Sequence, residues 1–211
     1  EYVSTRNTQK SFQFKDIFLK GLAPDGGLFI PKKIPTYTAQ ELNELKKLEY
    51  NELATKIICK FCNDEFNESQ IREFVNNYYK KFRVKDVVSI KKLNKIYLME
   101  LFHGPTLAFK DIAMQVIGNM YENVLKKYKA NINVVVATSG DTGAAAIGAI
   151  KNKKNIKIFV LHPHNKISEV QRKFMTTVDA PNVFNVALEG NFDDCQKFVK
   201  SMFADENFKN S

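Results

Sequence analysis

From Lys95 onward the chain alternates short β-branched runs with helical stretches, and this alternation limits the possible folds more than any single motif. Strands are expected at Ile96 to Leu101, Ile132 to Ala137, Ile156 to Leu161 and Val183 to Leu188. Helices are expected at Lys110 to Lys127, Thr142 to Asn152, Ser168 to Thr177 and Phe192 to Phe203. The pattern predicts an α/β fold, a mostly parallel sheet with helices on both faces. The run Asn133-Val-Val-Val-Ala137 lacks polar alternation, as a strand covered on both faces should. Residues 1–94 read as a smaller, mainly helical N-terminal domain. Short strands at Tyr2 to Arg6 and Leu28 to Ile30 flank the turn Ala23-Pro-Asp-Gly-Gly27. A Thr38-Ala-Gln-Glu41 capping box opens a helix to about Leu48, and further helices follow at Tyr50 to Cys62 and Ser69 to Phe82.

Parallel α/β sheets hold ligands outside the carboxyl ends of their strands. Here those ends carry Leu101-Phe-His-Gly-Pro105, Thr138-Ser-Gly-Asp-Thr142, His162-Pro-His-Asn-Lys166 and Glu189-Gly-Asn191, so the four loops are expected on one side. Two of them carry chemistry. In the first, Gly104 and Pro105 resist helix up to Lys110, which then opens a largely apolar helix. At the positive end of that helix, approached by Ala108 and Phe109, the ammonium form of Lys110 is disfavoured. Schiff-base chemistry needs the neutral amine. The competing reading is a solvated lysine paired with its neighbour Asp111. In the second loop, Gly140 and Gly143 allow close backbone approach, and the first helical turn leaves N–H groups free. With the hydroxyls of Ser139 and Thr142, this makes a site for a carboxylate or phosphate. Asp141 would repel a dianion unless it caps the helix or meets a cation. The competing reading is a plain strand-to-helix turn capped by Ser139 or Asp141.

Composition narrows the field. The chain has 211 residues, 44% of them hydrophobic, enough to bury a real core in one or two domains. The net charge of +9 is spread over scattered basic pairs such as Lys32-Lys33 and Lys153-Lys154, without the basic stripe of a nucleic-acid binder. No stretch reaches the roughly 18 apolar residues of a membrane span, and no secretion signal is evident. A cytoplasmic protein is expected, and three cysteines suit a reducing compartment. Cys59 and Cys62 are expected as reduced residues on one helical face, and His103, His162 and His164 form no ligand set, so no metal is expected.

Taken together, Leu101-Phe-His-Gly-Pro-Thr-Leu-Ala-Phe-Lys-Asp111, Ala137-Thr-Ser-Gly-Asp-Thr-Gly143, Lys166-Ile-Ser-Glu-Val-Gln171 and Gly190-Asn-Phe-Asp-Asp-Cys-Gln196 resemble threonine synthase. The likeness is closest to the longer microbial and fungal type, whose N-terminal region is also similar to Tyr2-Val-Ser-Thr-Arg6 and Gly21-Leu-Ala-Pro-Asp-Gly-Gly-Leu-Phe-Ile-Pro31. It covers essentially the whole chain. It implies a fold-type II enzyme that uses pyridoxal 5′-phosphate (PLP) to convert O-phospho-L-homoserine and water to L-threonine and phosphate. By this resemblance Lys110 anchors the cofactor and shuttles protons, and Phe109 and Asp141 lie against it. Thr138, Ser139, Gly140, Asp141, Thr142 and Gly143 grip the substrate carboxylate, and Lys166 meets the substrate phosphate with Ser168 and Gln171 nearby. The competing reading of Lys166 is a solvated lysine before a Ser N-cap.

The resemblance further implies that residues 95–130 carry the PLP lysine and 131–205 form a small α/β domain. Family members run to about twice this length, and their later half carries a glycine-rich cup for the cofactor phosphate. None of the nine glycines here forms such a cup. The chain is therefore expected to be the N-terminal part of the enzyme, monomeric or homodimeric, and inactive alone. The alternative is a non-catalytic binding or interaction protein derived from it. A nucleotide-binding domain fits poorly, since neither G-x-G-x-x-G nor G-x-x-x-x-G-K-[ST] occurs.

Overall fold

Eight helices and three sheets make up the described residues, 1–205 and Phe208, of the computed structural model. They fall into two compact units, the first ending at Lys80 and the second beginning at Lys81. In the first unit, β1 (Tyr2–Ser4) pairs antiparallel with β2 (Ser11–Phe12) and with β3 (Phe29–Pro31). Helix α1 (Phe14–Lys20) starts without a cap from its own N-cap residue, Gln13; instead Asp64 Oδ2 accepts from the Phe14 amide at 2.8 Å. Then come α2 (Ala39–Leu45), α3 (Tyr50–Cys62) and α4 (Glu68–Tyr79). The Thr38–Glu41 capping box is formed at α2, and Asn67 with Gln70 builds a second at α4. Phe14, Phe66 and Phe74 meet edge-on in the core, at ring separations of 6.0 and 5.5 Å. Cys62 is fully buried on α3, and burial pushes its thiol up to about 12.

The second unit opens with a hairpin. β4 (Ser89–Leu93) and β5 (Ile96–Glu100) are antiparallel, joined by the two-residue turn Asn94-Lys95. Asn94 takes φ +54°, a conformation Asn tolerates better than other non-glycine residues. This corrects the expected parallel strand at Ile96 to Leu101: the strand exists, but its partner is the Lys-rich segment before it. The parallel sheet holds three strands in the order β6 (Ile132–Ala137), β7 (Ile156–Pro163) and β8 (Val183–Leu188).

Around that sheet lie α5 (Asp111–Tyr128), α6 (Asp141–Ile150), α7 (Glu169–Thr176) and α8 (Phe192–Ala204), with helices on both faces. Ser168 caps α7 and an Asn191–Asp194 box caps α8. Buried Asn182 joins the ends of several elements. Its Nδ2 donates to the carbonyls of Ile150 and Ile156 at 3.0 Å each, and its Oδ1 accepts from the Asn152 amide at 2.9 Å. Helix α5 packs on α6 backbone to backbone at Gly118, where an added Cβ would lie 2.5 Å from the Ala149 carbonyl oxygen. Gly118→Ala is therefore expected to lower stability by about 1–3 kcal/mol in urea unfolding, although alanine favours the helix. An unchanged or raised midpoint would contradict that packing.

Candidate active site

The segment leading to Lys110 is organised by a buried carboxylate. Asp111 is fully buried; its Oδ2 accepts from the Thr106 amide at 2.7 Å, and its Oδ1 from the Thr106 hydroxyl at 2.9 Å and Gln115 Nε2 at 3.4 Å. The loop thus closes on the first residue of the helix it precedes. Gly104 sits so close that a Cβ there would lie 2.5 Å from both Asp111 Cβ and Oδ2, which explains why glycine stands at that position. Leu107 is driven to φ +63°, an unusual state for a branched residue and a place where the fold holds strain. Asp111 is therefore the loop's internal tie, and among the described residues it makes no ion pair with Lys110.

Lys110, the expected first residue of the helix, occupies the N-cap position of α5, which starts one residue later at Asp111. Its Nζ lies 4.6 Å from the centroid of the Phe109 ring, while Ala108 is buried and Phe109 is half exposed. Lys110 is half-buried, with its amine over the half-exposed Phe109 ring. Behind the loop, Glu100 is buried and bonded to Lys91 Nζ at 2.6 Å and His103 Nε2 at 2.8 Å. The Lys91 bond, then the His103 bond, hold its carboxyl below the usual glutamate range.

The second loop is organised by a buried hydroxyl. Thr138 is 2% exposed, and its Oγ1 accepts from the amides of both Gly140 and Gly143 at 2.9 Å. Gly140 adopts φ +140°, where a side chain would also strike Gln171; at Gly143 a Cβ would strike Thr138, Met175 and Val160. With the Gly143 amide engaged, the first-turn amides of Asp141 and Thr142 are left with no intrahelical acceptor. Ser139 and Asp141 are exposed and Thr142 is half-exposed. Among the described residues Asp141 neither caps α6 nor meets a cation; its Oδ1 accepts from Gln171 Nε2 at 2.9 Å, and Gln171 is itself bonded to the α7 cap Ser168. A neutral amide thus links the start of α6 to the start of α7.

Three of the four expected loops do follow strands of the parallel sheet. Lys166 is exposed in the loop after β7, and in the same neighbourhood His164 bonds Glu189 from the loop after β8. The Lys110 loop is the exception, since β5 lies in the hairpin. Its relation to the anion loop comes through the packing of α5 on α6 and not through strand order. Asp111 and Gln171 have organising roles that the sequence reading did not give them: Asp111 was expected only as a partner of Lys110, and Gln171 only near the substrate phosphate. The short Thr106-to-Asp111 spacing is the local signal that could have pointed to the side-chain-to-backbone tie, but nothing local points to Gln171 reaching Asp141 thirty residues away.

Comparison with known proteins adds a family context. Residues 1–79 match the family model "Threonine synthase N terminus", and residues 83–210 match "Pyridoxal-phosphate dependent enzyme". The chain is similar to threonine synthase from Pseudomonas aeruginosa, at 43% identity over 98% of this chain and 44% of that protein. It is similar to the Schizosaccharomyces pombe threonine synthase at 40% identity, over 98% of this chain and 42% of that protein. Among solved structures, PLP-bound threonine synthase from Brucella melitensis superposes with a TM-score of 0.89 at 41% identity, over 99% of this chain and 45% of that one. The chain thus spans less than half the length of these relatives.

The Glu100 pair carries a testable pH dependence. Because its folded carboxyl titrates below the ordinary value near 4.3, its stabilisation is fully present above about pH 5 and is lost as pH falls through the depressed value. Glu100→Gln is expected to be less stable at neutral pH and to lose less stability than the parent chain between about pH 5 and 3 in urea titrations. Parallel acid limbs for the two proteins would contradict this.

Proposed function

Because the chain belongs to the pyridoxal-phosphate dependent enzyme family, we propose that it is the lysine-bearing part of an enzyme converting O-phospho-L-homoserine and water to L-threonine and inorganic phosphate. The observation that carries the reading is the Lys110 loop. Asp111 spends its acceptors on Thr106 and Gln115, and half-buried Lys110 is left with its amine over the Phe109 ring. That amine fits the covalent anchor of PLP, which, when bound, draws off electron density from the carbon next to the substrate nitrogen.

The chain's own residues then divide the remaining tasks. Lys110, once released by the substrate amine, takes the protons from Cα and Cβ, and protons return to Cγ, which becomes the methyl group, and finally to Cα. The amides of Asp141 and Thr142, with the hydroxyls of Ser139 and Thr142, receive the substrate carboxylate at the positive end of α6. Gly140 and Gly143 let the backbone come close, and Thr138 holds both from inside the protein. Lys166 attracts the substrate phosphate, whose departure from Cγ precedes addition of water at Cβ. Phe109 and Asp141 border the cofactor. Residues 95–130 would supply the lysine and 131–205 the small domain that grips the substrate. The isolated 211 residues, without a glycine-rich phosphate cup, would form no threonine.

The assignment is checked by covalent trapping. PLP added to the chain and reduced with borohydride should label Lys110, identified by peptide mass spectrometry, and Lys110→Ala should lose that peptide's label. Labelling spread over other lysines with Lys110 unmodified would reject the assignment.

A further inference from the structure

Behind the Lys110 loop lies a cavity of about 300 Å³ that the proposed reaction leaves unused. Its walls come from the loop at Thr106, from α5 at Gln115, from α6 at Gly148 and from the end of α7 at Phe174. Two exposed lysines, Lys81 and Lys151, also line it, and no acidic side chain does so among the described residues. Gln115 is only 1% exposed. Its Nε2 donates to Asp111 Oδ1 at 3.4 Å, and the second hydrogen of that nitrogen has no acceptor among the described residues. Gly148 keeps the space beside it open, since an added Cβ would lie 3.3 Å from both Gln115 Nε2 and Thr106 Cγ2.

We infer that this cavity binds a small organic anion, a carboxylate carried on a short branched hydrocarbon body. Three features select that chemistry. Two ammonium groups around one cavity repel each other, and an anion held between them removes that cost. The buried carboxamide gains a partner for its second hydrogen when an acceptor enters. The Phe174 ring and the Thr106 methyl offer carbon surface, against which a bare inorganic ion would lose hydration without return, whereas a hydrocarbon body is buried favourably. The volume matches the lower end of small-molecule sites. Because the first hydrogen of Gln115 Nε2 stays on Asp111, an occupant is joined through one side chain to the carboxylate that holds the Lys110 loop. The inference uses neither the amine of Lys110 nor the proposed reaction, so either reading can fail without the other.

The test is a titration of the nitrogen-labelled chain with sodium 4-methylpentanoate, followed by proton–nitrogen correlation spectra. The side-chain amide of Gln115 and the backbone amides of Thr106 and Gly148 should shift together and saturate, with a dissociation constant on the order of 1 mM. The neutral analogue 4-methylpentanamide keeps the body without the charge, and inorganic phosphate keeps a charge without the body. Each should bind at least about tenfold more weakly. Lys151→Gln should weaken 4-methylpentanoate about fivefold or more, while Lys157→Gln, which removes the same charge from an exposed position on β7 outside the cavity, should change it by less than about twofold. Absence of saturable shifts, or saturable shifts only elsewhere in the chain, would overturn the inference. So would equal binding of the amide or of phosphate, or equal loss from the two substitutions.

Discussion

A single buried carboxylate sets the geometry from which the proposed chemistry follows. Asp111 lies at the first turn of α5, where the helix dipole favours negative charge, and it accepts three hydrogen bonds in a position fully shielded from water. A buried acceptor left unmatched is costly, so the loop from Gly104 to Lys110 must fold back over it. That closure leaves no room for a side chain at Gly104, forces Leu107 into the left-handed region and leaves Lys110 at the N-cap with its amine over Phe109. Lysine and aspartate are adjacent in sequence, yet they have opposite fates: one organises and the other is presented.

The anion loop repeats the logic with a hydroxyl in place of a carboxylate. Thr138 takes up the amides of Gly140 and Gly143, and the amides of Asp141 and Thr142 between them have no acceptor within the helix. Because α6 is built largely of buried alanine and glycine, it can approach α5 closely. Asn182 ties the far end of α6 to the strands that follow. The two loops are therefore rooted in helices that pack directly on each other, and Gln171 adds α7 to the same assembly.

Much of this could be read from residue patterns. The β-branched run at Ile132 to Ala137, the helix from Tyr50 to Cys62 and the Thr38–Glu41 box lie where periodicity and capping chemistry place them, because each is decided by neighbours within a turn or two. The hairpin was misjudged for a physical reason. Lys91 and Lys92 disguise β4 as a solvated loop, while β5 has the continuous apolar character of a parallel strand. Helix α1 and strand β2 were also missed, since α1 takes its cap from Asp64, fifty residues away, and β2 is two residues long. Of the candidate site, the lysine, the glycines and the hydroxyls were legible as types at a spacing. The roles of Asp111 and Gln171 were not, because they depend on which acceptors end up buried and which helices end up adjacent.

The central claim is that both loops are held from within, before any ligand arrives. Native-state amide hydrogen exchange tests it most directly at three positions, Thr106, Gly140 and Gly143, in the ligand-free chain. If the Asp111 carboxylate and the Thr138 hydroxyl hold these amides, they will exchange at rates comparable to the interior of α5 and α6. Exchange at the rate of an unprotected loop, while those helices remain protected, would contradict the account.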